Sequence, residues 1–383
     1  MHNFVFQNPV KVVFGKGTIE KLAELIPLED KVLVAYGGGS VKANGVYDQV
    51  LAALKGRDLV EFGGIEPNPR YETLMQAVGL VRAQGVSFLL AVGGGSVLDG
   101  VKFVAAASVF EGPEPWDILS CGAPVNRALP LGAVMTLPAT GSEMNCFSVV
   151  SREETREKLA FGAPAVYPQF SILDPEATFS LPDRQVANGI VDAFAHVMEQ
   201  YMTYPADAPL QDRMAEAVLA TLIEIAPAAM AKPPSYAARA DLVWAATMAL
   251  NGVVGVGVPQ DWATHGIGHE LTALFGLDHG QTLAVVMPAL LRHEMARKKR
   301  KLLQYGERIW GVVQGSEDER AVAAVQKTEE FFRSVGVKTR LSEYGITRGW
   351  DEVPARFEHR GTKLGEHGDI GAPEVREILE LCR

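Results

Sequence analysis

Short β-branched apolar runs punctuate the first half of the chain: Lys31–Tyr36, Leu59–Phe62, Ser87–Val92, Leu131–Leu137 and Phe170–Asp174. Longer stretches with helical patterning separate them. That alternation predicts βαβ units building a largely parallel sheet. After Leu181, Pro182 and Asp183 the pattern changes to alanine-rich stretches with apolar residues three and four apart, such as Arg184–Met202 and Gln211–Met230. This half is predicted to be all-helical. The expected division is an α/β domain over 1–180 and a helical domain over 181–383, with no internal repeat.

A chain of 383 residues, 48% hydrophobic and 21% charged, can bury a large core. Its net charge of −10 argues against nucleic acid or an anionic membrane as partner, since both need a basic surface. A small-molecule substrate is expected. The one basic cluster, Arg297–Lys301, falls in a helical pattern and is expected to be a solvated face. No apolar run reaches membrane-spanning length and the N-terminus has no signal-peptide pattern, so a cytoplasmic protein is expected. Cys121, Cys146 and Cys382 form no CxxC pair, which leaves oxygen and imidazole as metal ligands.

Two glycine turns follow apolar strands and precede helices: Gly37, Gly38, Gly39 and Ser40, then Gly93, Gly94, Gly95 and Ser96. Glycines there let backbone approach a phosphate, and free amides at a helix start attract its charge. Neither turn fits GxGxxG. Glu61 falls roughly where a ribose-binding acid would sit, but it reads better as a solvated strand end. A third strand runs into Thr136–Glu143, whose hydroxyls can meet a cofactor or cap the next helix.

Of the eight histidines, His196, His265, His269 and His279 lie in the helical half near the middle of the chain. Asp192 and His196 are four apart and project from one face of a helix, a spacing suited to gripping one ion. His265 and His269 share that spacing, and His279 follows a turn. Spacing alone does not say which of these histidines are ligands. The metalloprotease base of HExxH is absent, because Gly266 follows His265. One carboxylate with imidazoles suits Fe2+ or Zn2+, with Mn2+ or Ni2+ as further candidates.

Together these stretches resemble the iron-containing, or group III, alcohol dehydrogenase family over essentially the whole chain. The resemblance is carried by Phe14–Gly17, Gly93–Asp99, Thr136–Glu143, Asp192–His196, Thr264–Leu271 and Asp278–Gly280. Tyr36–Lys42, Glu66–Pro69 and Pro259–Ala263 look like its NADPH-dependent aldehyde reductase and butanol dehydrogenase branch. The resemblance implies an α/β dinucleotide-binding domain with a parallel sheet, an all-α metal domain, a dehydroquinate synthase-like architecture and a homodimer. It maps the metal ligands to Asp192, His196, His265 and His279, leaving His269 near the substrate. It places the pyrophosphate at Gly94, Gly95 and Ser96, Asp99 near the nicotinamide ribose, and Asn68 near the adenosine. Thr136, Asn145, Lys158 and Thr178 follow along the cofactor.

Family members that prefer NAD tend to carry an acid just after the first strand, where it repels a 2′-phosphate. Here Gly38, Gly39 and Ser40 stand there, with Lys42 beyond, so NADPH is expected. The expected reaction is metal-dependent, reversible reduction of small aldehydes to primary alcohols, with His269 a candidate proton relay. A glycerol or diol dehydrogenase is the nearest alternative, and a non-catalytic metal or nucleotide sensor is another. A dehydroquinate synthase-like lyase would need a basic pocket, and the sequence near the ligands offers only Arg184 and His269. Met144, Cys146 and Phe147 depart from the smaller or more polar residues common in this branch.

Overall fold

Successive residues of a strand point to opposite faces, and here both faces are apolar. In Lys31–Tyr36, Leu33 and Ala35 join one buried cluster while Val32, Val34 and Tyr36 join another. Such strands need cover on both sides. The computed structural model describes all 383 residues, Met1–Arg383. It divides them into two units, Gln7–Pro182 with Pro234–Thr247, and Met1–Phe6 with Asp183–Pro233 and Met248–Arg383.

The first unit holds β1 (Lys11–Phe14), β2 (Lys31–Tyr36), β3 (Asp58–Phe62), β4 (Phe88–Gly94), β5 (Leu131–Leu137), β6 (Phe147–Arg152), β7 (Glu157–Gly162) and β8 (Phe170–Leu173). Six of them form a sheet in the order β1-β8-β5-β4-β2-β3, every pair parallel. Its helices are α1 (Leu22–Leu25), α2 (Ser40–Ala43), α3 (Val46–Ala53), α4 (Tyr71–Gln84), α5 (Gly95–Ala107) and α6 (Asp117–Ser120). Residues of α4 and α5 cover one sheet face, and residues of α3 cover the other. The parallel sheet is as expected. The antiparallel hairpin β6-β7 and the edge strand β1 were not anticipated.

The second unit is built from α7 (Asp183–Tyr201) and α8 (Pro209–Ala229), then, past α9 (Tyr236–Ala249), α10 (Ala263–Phe275), α11 (His279–His293), α12 (Met295–Trp310), α13 (Glu317–Ser334), α14 (Glu352–Arg360) and α15 (Ala372–Leu381). α7 is buried without interruption from Gly189 to Tyr201, a helix enclosed on all sides. None of the helices is long and apolar enough to cross a membrane.

The main division between the units falls at Pro182 and Asp183, and two further segments cross it: most of α9 packs with the α/β unit, where Val243 meets Met135 and Leu173, and Met1–Phe6 belongs with the helices. One expectation needs correction, the solvated basic face. Lys298 and Lys301 of α12 are buried, Lys298 bonding Asp261 at 2.8 Å and Glu366 at 2.7 Å. Residues 298 and 301 share a helix face, so the run splits into an inward pair and outward neighbours.

Candidate metal centre and coenzyme site

Asp192 and His196 lie on the enclosed part of α7, and both are nearly inaccessible to solvent. α11 closes on α7 at Gly280, where an added Cβ would fall 2.6 Å from the Asn188 carbonyl oxygen. That contact, with the Asn188 Nδ2 bond to Asp278 at 2.8 Å, brings His279 at the head of α11 to Asp192. α10 packs on α11 through Gly268, whose Cβ would fall 2.8 Å from Thr282 Oγ1. It carries His265 in its first turn.

The result is a convergence of ligand atoms. One oxygen each or one nitrogen each from Asp192, His265 and His279 lie within 4.8 Å of one another. His265 Nε2 and His279 Nε2 are both 3.6 Å from Asp192 Oδ1. Tetrahedral sites with bonds of about 2.1 Å put neighbouring ligand atoms about 3.4 Å apart, so this spacing fits a cation. His196 adjoins these three, its ring stacked on His265 at 4.5 Å and its Nδ1 3.5 Å from Asp192 Oδ1. His196 Nδ1 and His265 Nε2 are buried with no hydrogen-bond partner, as expected of atoms reserved for an ion. Burial pushes His196 down to about 4 and so keeps it neutral. For His265 burial works the same way, but Glu199 and Asp192 outweigh it and raise it to about 9.

Glu199 is the residue sequence reasoning missed here. It accepts from Thr264 N at 2.6 Å and meets His265 Nδ1 with its other oxygen. Its position seven after Asp192 was the available signal. His269 is half-buried one turn beyond His265, its ring centroid 5.4 Å from that of His279.

In the α/β unit the expected coenzyme residues fall into three groups. At the first turn Gly39 has φ of 95°, and Gly64 N bonds the Gly37 carbonyl at 3.0 Å. Lys42 on α2 pairs with Glu61, which also accepts from Tyr36 Oη and, at 2.7 Å, from Tyr47 Oη. Lys42 and the tyrosine hydroxyls hold the Glu61 carboxyl down to about 2. Glu61 is therefore engaged rather than simply solvated.

At the second turn Gly95 opens α5, and Ser96 Oγ accepts from Asn68 N at 3.2 Å. Lys158 Nζ donates to Asn68 Oδ1 at 2.8 Å, so these three residues form one patch. Asn68 has φ of 58°, a left-handed conformation that asparagine tolerates.

The third group surrounds Lys102, also missed. Its buried ammonium donates to Ser142 Oγ at 2.8 Å, Asn145 Oδ1 at 3.0 Å and the Phe147 carbonyl at 2.8 Å. Ser142 in turn bonds Asp99 at 2.6 Å. Burial lowers Lys102 to about 8. Thr136 and Thr178 are buried, and the Thr178 hydroxyl is given to the Pro175 carbonyl at 2.7 Å, so it is already used within the fold. Phe147 is about half exposed, and Cys146 is partly buried.

Residues 9–175 match the iron-containing alcohol dehydrogenase family, and residues 186–379 match the Fe-containing alcohol dehydrogenase family, C-terminal. The chain belongs to the iron-containing alcohol dehydrogenase family. It is an oxidoreductase of that kind. Over their full lengths the chain is 56% identical to the NADPH-dependent aldehyde reductase YqhD of Escherichia coli K12. The crystal structure of E. coli K-12 YqhD superposes with a TM-score of 0.98 at 55% identity, covering 100% of this chain and 99% of that one. The NADH-dependent butanol dehydrogenase A of Thermotoga maritima has a TM-score of 0.93 at 37% identity, with the same coverage. Iron-containing alcohol dehydrogenases of both coenzyme types thus share this fold, and the coenzyme has to be argued from the first turn.

Proposed function

We propose that this chain reduces small aldehydes to primary alcohols with NADPH, using one divalent cation held by Asp192, His196, His265 and His279. The convergence of the Asp192, His265 and His279 ligand atoms within 4.8 Å carries the reading, and full-length similarity to an NADPH-dependent aldehyde reductase supports it. When bound, the cation polarises the aldehyde oxygen and the nicotinamide supplies the hydride. Fe2+ and Zn2+ both suit these donors, and Mn2+ or Ni2+ are further candidates.

The chain's own residues do the rest. The amides of Gly94, Gly95 and Ser96 at the head of α5 receive the pyrophosphate. Asn68 binds toward the adenosine and Asp99 toward the nicotinamide ribose, with Thr136, Asn145, Lys158 and Thr178 along the coenzyme between them. Gly37, Gly38, Gly39 and Ser40 carry no acid, and Lys42 lies beyond them to meet a 2′-phosphate. His269 holds the proton that the product oxygen needs. The reading includes a homodimeric, cytoplasmic enzyme.

The deciding experiment is His265→Ala. The variant is expected to fold while losing both metal and aldehyde-dependent NADPH oxidation, and an active, metal-free variant would overturn the reading. An aldehyde and diol panel separates it from a glycerol or diol dehydrogenase, and a sensor would oxidise no NADPH. NADH used at least as efficiently as NADPH would defeat the coenzyme assignment. His269→Ala with unchanged rate and pH profile would remove His269 from the chemistry.

A further inference from the structure

We propose that Glu199 is the positioning residue for His265: it fixes which ring nitrogen faces the cation and so sets the affinity of the metal centre. The inference rests on the metal reading above.

Glu199 lies on α7 three residues after His196 and seven after Asp192, so the three project from one face of the helix. It is 3% exposed. Both of its oxygens are spent on the start of α10. Oε1 accepts from Thr264 N at 2.6 Å and His265 N at 3.3 Å, and Oε2 meets His265 Nδ1. One carboxylate therefore fixes the backbone and the ring of the same residue.

An ionised carboxylate only accepts hydrogen bonds, so the proton of the ring belongs on Nδ1. The form of His265 that ligates then presents its Nε2 lone pair, and Nε2 is the buried atom with no hydrogen-bond partner, 3.6 Å from Asp192 Oδ1. Carboxylates placed so behind a histidine orient the ligand and strengthen its donation. α7 thus supplies two ligands and the orienting partner of a third.

A plain capping role would account for the two backbone bonds, since the residue preceding α10, Trp262, makes no side-chain cap. Glutamine separates the two roles. In Glu199→Gln the side-chain oxygen can still accept from Thr264 N and His265 N, but the amide nitrogen offers a donor to Nδ1. That favours the opposite tautomer, with the proton on Nε2 where the metal must bind.

The experiment compares Zn2+ affinity, by chelator competition, among wild type, Glu199→Gln and His265→Ala, with melting curves of the metal-free proteins as a folding control. Glu199→Gln gives up the charge that raises His265, so the metal-free variant is expected to melt below wild type but still in one cooperative transition, and to bind Zn2+ about 10- to 100-fold more weakly. Wild-type affinity in Glu199→Gln alongside loss of metal in His265→Ala overturns the role of Glu199 and leaves the metal reading standing. Wild-type affinity in His265→Ala overturns both. Nitrogen NMR of Zn2+-loaded wild type gives a test that needs no variant to fold. Ligation through Nε2 with a proton kept on Nδ1 is expected, and ligation through Nδ1 overturns the proposal.

Discussion

Lys42 on α2 and Glu61 on β3 form an ion pair, with the Lys42 ammonium 4.8 Å and 4.7 Å from the ring centroids of Tyr36 and Tyr47. Held at about 2, Glu61 stays ionised at any working pH, so Lys42 is what neutralises it. Lys42→Ala leaves an uncompensated acid beside the first glycine turn, the arrangement that disfavours a 2′-phosphate. The expected result is a fall of about tenfold or more in kcat/KM for NADPH, with a smaller change for NADH. Equal losses with both coenzymes would place Lys42 away from the 2′-phosphate.

A buried lysine leaves a signature in the pH dependence of stability. The folded state releases the Lys102 proton near pH 8, while the unfolded chain holds it to the ordinary value of 10.5. Between these values the unfolded state binds more protons, so this residue makes stability rise with pH across that window and stay level below it. Denaturation of wild type and Lys102→Met should therefore show a stability difference that is constant up to about pH 8 and then grows in favour of wild type. A full shift corresponds to about 3 kcal/mol. A difference that shrank with rising pH would contradict the assignment.

The two glycine turns should respond differently to a methyl group. A Cβ at Gly95 would fall 2.4 Å from Thr140 Oγ1, whereas one at Gly38 would meet nothing within 4 Å. Thr140 Oγ1 accepts from Ser142 N at 3.2 Å, so a shift there reaches the Asp99 and Lys102 cluster. Gly95→Ala is expected to lose about 1–3 kcal/mol of stability and to bind NADPH at least about tenfold more weakly. Gly38→Ala should keep its stability within about 0.5 kcal/mol. Thermal denaturation and coenzyme titration check both, and a stable, tight-binding Gly95→Ala would remove the steric argument.

The parts of the fold that could be read from sequence are those whose cause is local. Lys31–Tyr36 and Leu131–Leu137 became β2 and β5 without adjustment, because strands buried on both faces are continuous apolar runs. β6 and β7 are only partly buried and carry charged residues where they meet the turn between them, so their pattern is weak. The spacing of Asp192 and His196 correctly put both on one helix. What brings His265 and His279 to Asp192 is the close approach of α11 at Gly280 and of α10 at Gly268, contacts far apart in sequence. Glu199 and Lys102 escaped notice for the same reason: a buried charge declares itself only once its partners are in place. Lys298 and Lys301 were misread because five consecutive basic residues hide which face a helix turns inward.

The path of α9 has a consequence for how this chain can be divided. The polypeptide leaves the α/β unit after Pro182 and returns to it at Pro234–Thr247. Within that unit Arg239 donates to the Thr178 carbonyl at 2.6 Å, Val243 covers Met135 and Leu173, and Thr247 bonds the buried Glu143 carboxyl. A fragment ending at Pro182 would uncover those apolar side chains and strand a carboxyl without its hydroxyl. The halves are therefore not interchangeable modules: grafting this coenzyme-binding unit onto another catalytic partner means carrying a helix encoded some fifty residues downstream of the cut.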